Sequence, residues 1–288
     1  MRSEQELISQ ILHIANTNDL IRAVLLTGSR ANPNAVKDRL MDFDVTYIVT
    51  QIDSFLRDKD WIDVFGERLI LQMPEEMTIG EKDKCAFHYL MLLKDGNRID
   101  LTVFPKDKMK TQFRKDSLSI VLLDKDEVFG ELAPPSDSDY LINRPTEKEF
   151  LDCCNEFWWV STYVAKGLCR TEITYAKQMM DIHVRAMFLK MIEWYVGTLT
   201  GFTVSFGKAG RRMKSQISPE LYDKILSTYP DSDIDNNWKA LFVMGALFDE
   251  LTKEVAAAMN FLYNGDEAIN VTGYLTEKYK ASQTIDLH

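Results

Sequence analysis

Three aspartates stand in apolar segments where a charged side chain is costly to bury. Asp42 and Asp44 lie in DFDVTYIV, and Asp100 lies in RIDLTVF. Side chains two residues apart on a strand point to the same face, so Asp42 and Asp44 face one way while Phe43 faces the other. Such a pair can hold a hard divalent cation, and Mg²⁺ is usually bound by one or two carboxylates together with substrate phosphates. If the two strands are neighbours, we expect all three carboxylates to converge.

A group suited to phosphate binding precedes the first aspartates. Gly28, Ser29 and Arg30 follow the apolar run IRAVLLT. Glycine lets the backbone approach a ligand closely, and a serine hydroxyl, backbone amides and an arginine can bind phosphate oxygens. With the aspartates, these residues predict a nucleoside triphosphate site for in-line displacement at phosphorus, in which a carboxylate deprotonates an attacking hydroxyl. An aspartate pair on a solvated edge strand is common without function, so the prediction depends on the combination.

The first half of the chain contains the elements that must position these residues. A capping box, Ser3 with Glu6, predicts an amphipathic helix at the start of the chain. Asp95-Gly96 between two β-rich runs predicts a hairpin. An amphipathic helix is expected after Pro105. The remaining expected elements are a helical stretch at about 53–65, strands over 21–26, 42–49 and 68–73, and a candidate sixth strand over 119–124.

The second half reads differently. Proline, serine and aspartate cluster over 132–145, which indicates a domain boundary. A second capping box, Thr146 with Glu149, precedes three long segments with helical periodicity, at about 147–166, 175–200 and 235–263. We therefore expect an α+β fold in which a mixed-sheet domain over 1–135 is followed by an α-helical bundle domain over 146–288.

Composition limits the class of partner. The formal net charge of −10 argues against nucleic acid, whose phosphates require a basic face, and a cationic or neutral partner fits better. No apolar run reaches the length of a membrane span, and the N-terminus lacks a signal-peptide core, so we expect a cytoplasmic protein without a membrane partner. A monomer or weak dimer is a separate expectation. The four cysteines lack metal spacing and are expected to be reduced. We assign no functional role to the four histidines, which are His13, His88, His183 and His288.

The order of these motifs resembles a known signature. A strand followed by Gly-Ser, a second strand with two alternate aspartates, and a distant third aspartate resemble the nucleotidyltransferases of the DNA polymerase β type. Nearly the whole chain, including EFWWVSTYVAKGLCRTEITYAKQMMD and KMIEWYVGTLTGFTVSFGK, is similar to the aminoglycoside 6-adenylyltransferases, which modify streptomycin. This resemblance implies a polymerase-β-like sheet domain and transfer of AMP from ATP to a streptomycin hydroxyl, with pyrophosphate leaving and Mg²⁺ required.

The resemblance also implies roles for the motif residues. Asp42 and Asp44 would be metal ligands. Asp100 would be the third carboxylate, acting as general base and as a further ligand. The triphosphate would be held by the turn residues Gly28, Ser29 and Arg30.

Weaker candidates lie in the second half. Lys208, in a local basic cluster, is predicted to reach the β- and γ-phosphates, with a solvated loop as the alternative, and Lys177 is a similar candidate. Streptomycin carries guanidinium groups and an amine, which carboxylates would pair with. One of the adjacent tryptophans 158 and 159 must point away from the helical core. Trp159, with Glu156, Asp152 or Asp181, is therefore a candidate for the acceptor site, and ordinary packing or solvation is the alternative for each.

Two alternative functions stay open at this point. One is nucleotidyl transfer to another acceptor, such as a lincosamide, another aminoglycoside or a protein side chain. The other is a nucleotide-binding regulator without catalysis. The presence of all three carboxylates argues against the regulator, which would keep the fold but lose them.

Overall fold

A computed structural model describes residues 1–130 and 133–285. The chain divides into two compact units, Met1–Asp139 and Tyr140–His288. His288, to which the sequence analysis assigns no role, lies outside the described residues. None of the described helices combines the length and hydropathy that crossing a membrane requires.

The first unit is built on a six-stranded mixed sheet with the order β3-β4-β5-β2-β1-β6. Among the described strands, β2 and β5 pair in parallel, and the other neighbouring pairs are antiparallel. Asp95-Gly96 connects β4 to β5, so the predicted hairpin is confirmed, as is the sixth strand. The bounds are β1 (Ile21–Thr27), β2 (Phe43–Val49), β3 (Arg68–Gln72), β4 (Phe87–Leu93), β5 (Arg98–Pro105) and β6 (Ser119–Asp124).

Helix α1 (Glu4–Thr17) covers one face of this sheet. The predicted capping box of Ser3 and Glu6 begins it. Leu7 and Ile11 are fully buried against the strands, and the Tyr47 hydroxyl donates to the Ile11 carbonyl oxygen at 2.8 Å. The contact fixes α1 against β2, because a buried tyrosine hydroxyl needs a hydrogen-bond partner.

The other helices of the first unit are short. A single turn, α2 (Gly28–Ala31), follows β1, and the stretch predicted at 53–65 forms α3 (Ile52–Arg57) and a 3-10 helix, Lys59–Phe65. The prediction of an amphipathic helix after Pro105 is wrong. Over 106–118 the chain forms a 3-10 turn and one further turn, α4 (Met109–Gln112). Phe113 is extended and its ring packs edge-on against Phe104 and Phe129, so packing on the second face of the sheet ends the helix early.

The second unit is helical, which with the mixed sheet confirms the predicted fold class. The segment predicted at 175–200 is helical but widens into a π-helix over Met179–Val184. Helices α8 and α10 are not among the predicted elements, although Ser218-Pro219 is a recognisable helix start. The bounds are α5 (Glu147–Cys169), α6 (Ile173–Gln178), α7 (Arg185–Thr200), α8 (Pro219–Leu226), α9 (Ile234–Met259) and α10 (Asp266–Ile285).

Aromatic packing joins α5 to α9. The rings of Phe157 and Phe248 stack with centroids 3.7 Å apart, and Trp158 packs edge-on against both. Trp158 is buried, whereas Trp159 is 58% exposed. The prediction that one of the two tryptophans points away from the core is confirmed.

Candidate functional site

The three aspartates lie at one end of the parallel pair β2 and β5. Asp44 is the register partner of Asp100, and Phe43 is the partner of Ile99. Phe43 and Ile99 are fully buried, whereas the aspartates on the alternate positions are partly exposed. Asp42 directly precedes the first residue of β2. The predicted neighbourhood of the two strands is therefore confirmed, and it places all three carboxyl groups at one edge.

The electrostatics of this edge are unfavourable for negative charge. Burial, together with the neighbouring negative charges of Asp100 and Asp42, raises the pKa of Asp44 to about 6. Burial also raises the pKa of Asp42, an effect that the Arg98 guanidinium opposes. Clustered, partly desolvated carboxylates are a common feature of functional sites.

Gly28 makes room for one of these carboxylates. Its φ is +68°, and a Cβ at this position would lie 2.4 Å from Oδ2 of Asp44. The close approach follows from the register, since Thr27 at the end of β1 pairs with Asp44. Glycine meets both requirements of this position, because it adopts the left-handed backbone without strain and has no Cβ to clash with Asp44. Ser29 follows on the same turn and is half-buried.

Arg98 is the residue of this edge that the sequence analysis missed. Its Nε donates to Oδ1 of Asp100 and its Nη2 to Oδ2, each at 2.8 Å, and its Nη1 lies 3.7 Å from Oδ2 of Asp42. The signal was available, because Arg98 is two residues before Asp100 on the same strand and so shares its face. The carboxyl groups of Asp100 and Asp42 therefore share one guanidinium.

The donor set at this edge consists of carboxylate oxygens, which suit Mg²⁺. Within 1–130 and 133–285, however, no three His, Cys, Asp or Glu side chains are already grouped so that they could hold a metal ion. Both oxygens of Asp100 bind Arg98 instead. Metal ligation by Asp42, Asp44 and Asp100 stays a prediction.

Arg30 is fixed by protein groups on three sides. It donates to the carbonyl oxygens of Met41 and Asp42 at 2.7 Å and 3.0 Å, and pairs with Glu4 at 3.0 Å. Its guanidinium carbon also lies 3.6 Å from the centre of the Phe43 ring. Its predicted phosphate contact stays a prediction, whereas its observed contacts hold the backbone that leads into β2.

Comparison with known proteins shows which family has this arrangement. The family sequence model described as streptomycin adenylyltransferase matches residues 1–278. The chain belongs to this family. It is 43% identical over 263 residues to the aminoglycoside 6-adenylyltransferase of Campylobacter jejuni, covering 91% of each chain. The corresponding protein of Bacillus subtilis (strain 168) is 40% identical over 272 residues, which are 93% of this chain and 96% of that one.

A solved structure is similar over the same length. It is the crystal structure of an aminoglycoside 6-adenyltransferase from Bacillus subtilis, at 35% identity and a TM-score of 0.48, covering 97% of this chain and 99% of that chain. Membership of the streptomycin adenylyltransferase family makes this chain an enzyme, a nucleotidyltransferase.

In the second unit, a residue predicted to bind nucleotide and a residue predicted to bind the acceptor form a salt bridge with each other. Nζ of Lys177 lies 3.1 Å from Oδ2 of Asp181 and donates to the Pro230 carbonyl oxygen at 3.1 Å. Arg185, buried beside Thr228, binds Oδ1 of the same Asp181 at 3.2 Å. The four-residue spacing along one helical segment brings these charges together. Their predicted contacts with nucleotide and acceptor stay predictions.

The other predicted ligand residues of the second unit are exposed. Lys208 begins a 3-10 turn, Lys208–Gly210, and Glu156 lies on the exposed side of α5. The indole Nε1 of Trp159 donates to the Tyr163 hydroxyl at 2.9 Å. Each is accessible, and the roles predicted for them are not tested by this arrangement.

Proposed function

We propose that this nucleotidyltransferase transfers AMP from ATP to a hydroxyl of streptomycin and releases pyrophosphate, with Mg²⁺ as cofactor. The observation that carries the proposal is the register of β2 with its two neighbours, which sets Asp44 beside Asp100 on β5 and close to Gly28 at the end of β1. Family membership over residues 1–278 supports adenylyl transfer as the reaction. The names of the relatives support an aminoglycoside as the acceptor.

The reaction assigns a different task to each carboxylate. Asp42 and Asp44 would hold Mg²⁺, which when bound supplies positive charge to the triphosphate. Asp100 would take the proton from the acceptor hydroxyl. The hydroxyl oxygen then forms a bond to the α-phosphorus while the bond from that phosphorus to the pyrophosphate oxygen breaks. Gly28 and Ser29 would border the phosphates, next to Asp44.

Charge complementarity supports a cationic acceptor. Streptomycin carries guanidinium groups and an amine, and the chain has a formal net charge of −10. Carboxylates bind guanidinium groups through paired hydrogen bonds. Glu156 on the exposed side of α5 is a candidate for such a contact, and Asp181, which already pairs with Lys177 and Arg185, is a second one.

The test is pyrophosphate release from ATP and Mg²⁺ with streptomycin, kanamycin, spectinomycin or lincomycin as acceptor. We expect release with streptomycin, and none when Asp44→Asn replaces the wild type in the same assay. Mass spectrometry of the antibiotic should show the added AMP. Release with a different acceptor alone would replace streptomycin in the proposal, and no release with any of them would point to a protein or another metabolite as acceptor.

A further inference from the structure

We propose that Arg98 is a tethered counter-cation that competes with the divalent metal for Asp100. This inference rests on the proposed function, because it requires a metal to bind at the aspartate edge. It starts from the two hydrogen bonds of 2.8 Å by which the guanidinium takes both oxygens of Asp100. The same guanidinium lies 3.7 Å from Oδ2 of Asp42.

Its position on the strand sets Arg98 beside this edge. Residues 98 and 100 share a face of β5, and β5 pairs in parallel with β2, which carries Asp44. The planar fork of an arginine matches the two oxygens of a carboxylate. Without a metal, this pairing compensates the mutual repulsion of three carboxylates.

A bound metal and Arg98 oppose each other for an electrostatic reason. A divalent cation on an oxygen of Asp100 would lie within a few ångströms of the guanidinium, and like charges at such a distance repel. Arg98 must therefore move away from Asp100, or the metal binds more weakly. The metal and the arginine are alternative partners of the same carboxylate.

The exposure of Arg98 allows this movement. Its side chain is 46% exposed, whereas the side chain of Arg30, the other arginine next to this edge, is 7% exposed. Arg30 is fixed by Glu4 and two carbonyl oxygens, while both side-chain hydrogen bonds that Arg98 makes within the described residues end on Asp100. Arg98 can thus rotate into solvent or toward an anionic substrate without breaking a buried contact.

The experiment measures Mn²⁺ binding to the nucleotide-free full-length protein by electron paramagnetic resonance. We expect Arg98→Gln to tighten Mn²⁺ binding by about twofold to fivefold, the size that a partly exposed ion pair allows. Arg98→Lys keeps the charge but cannot occupy both oxygens, so it should tighten binding by less. In EDTA, which removes metal, Arg98→Gln should also melt at a lower temperature than the wild type. When Mn²⁺ replaces EDTA, the Tm of Arg98→Gln should rise by more than the Tm of the wild type.

Arg68→Gln is the matched control. Arg68 also begins a strand of the same sheet and pairs with an aspartate, Asp63, so the variant removes the same charge from a different place. We expect its Mn²⁺ affinity to equal that of the wild type. Equal tightening in Arg68→Gln and Arg98→Gln would overturn the proposal, because net charge alone would then explain the effect.

Asp44→Asn separates this inference from the proposed function. If Asp44→Asn loses Mn²⁺ binding but neither Arg98 variant tightens it, the Arg98 proposal fails while the metal assignment stands. If Asp44→Asn binds Mn²⁺ like the wild type, the metal is not at this edge and both fail. Loss in Asp44→Asn together with tightening in the Arg98 variants supports both.

Discussion

Replacing each of the three aspartates by asparagine should affect turnover differently. Asp42→Asn and Asp44→Asn remove proposed metal ligands and should leave no detectable adenylyl transfer. Asp100→Asn removes the proposed base and should lower kcat by about 10²- to 10⁴-fold with ATP binding retained. Initial rates and ATP titrations of the purified variants check this. Asp53→Asn, on the exposed start of α3, is the control, and full activity in an aspartate variant would remove that residue from the mechanism.

Asp44 should also make the stability of the metal-free protein depend on pH. Its pKa is raised from 3.8 to about 6 in the folded chain, so the folded state binds more protons than the unfolded state between these values. The Asp44 contribution to the free energy of unfolding is therefore fully present below about pH 4 and is lost as the pH rises through about 6. Asp44→Asn lacks this dependence.

The measurement is Tm against pH, in EDTA, for the wild type and Asp44→Asn. We expect the Tm of the wild type to fall relative to that of the variant as the pH rises from about 4 to about 7. The difference between the two curves isolates Asp44 from the other titrating groups. Two parallel curves would show that Asp44 keeps an ordinary pKa in the folded chain.

Gly28→Ala tests the close approach of the glycine to Asp44. The added Cβ would lie 2.4 Å from Oδ2 of Asp44, in a backbone with φ of +68°. We expect a destabilisation of about 1–3 kcal/mol from the backbone strain and loss of adenylyl transfer, because Asp44 must move. Gly201→Ala is the matched control, since its φ is +63° and its Cβ would meet nothing within 4 Å. Its stability should fall from strain alone and its activity should persist.

At the scale of elements, the segment between α2 and β2 depends on Arg30. Arg30→Lys keeps the charge but cannot reach the carbonyl oxygens of Met41 and Asp42 and the carboxylate of Glu4 together. We expect it to lower the free energy of unfolding by about 2–4 kcal/mol, the size of a broken buried charge network, and to lower kcat because Asp42 is less fixed. Urea unfolding and initial rates check both.

Glu4→Gln provides the comparison for Arg30→Lys. It removes one ion pair at a carboxylate that is 39% exposed and leaves the two carbonyl contacts of Arg30 in place. Its stability loss should be much smaller than that of Arg30→Lys. Wild-type stability in Arg30→Lys would show that the segment leading into β2 is held by other contacts.

Elements with strong local signals were predictable from the sequence. Both capping boxes form, and the alternation in β2 and β5 gave the face of each aspartate before their pairing was known. Helix α10 was missed because it buries few side chains, Ala268 and Leu275 among them, and so has little apolar periodicity. The helix expected after Pro105 failed because the packing of Phe113 overrides local propensity.

The site was predictable in its carboxylates but not in its cations. Spacing identified Asp42, Asp44 and Asp100, since their residue types and strand positions are local features. The partners of Arg30 and Arg98 are set by tertiary contacts, namely the packing of Arg30 on Phe43 and the fork of Arg98 on Asp100. A sequence shows which side chains can bind phosphate, but only the fold shows which carboxylates and carbonyl oxygens already occupy them.

At the scale of the whole molecule, the net charge should affect the two substrates in opposite ways. A formal charge of −10 attracts a cationic acceptor and repels an anionic nucleotide, and salt screens both effects over about 10 Å at 0.1 M. If streptomycin is the acceptor, its kcat/KM should fall severalfold as KCl rises from about 0.02 to about 0.5 M, as expected for steered association. The kcat/KM for ATP should stay level or rise.

The two substrates serve as controls for each other in this measurement. Each is varied with the other saturating and Mg²⁺ fixed, so a general loss of activity in salt would lower both values together. Opposite slopes therefore assign the effect to the charge of the protein acting on the charge of each substrate. A parallel decline would contradict long-range attraction and would leave acceptor binding to short-range contacts, such as a carboxylate paired with a guanidinium group, that salt screens much less.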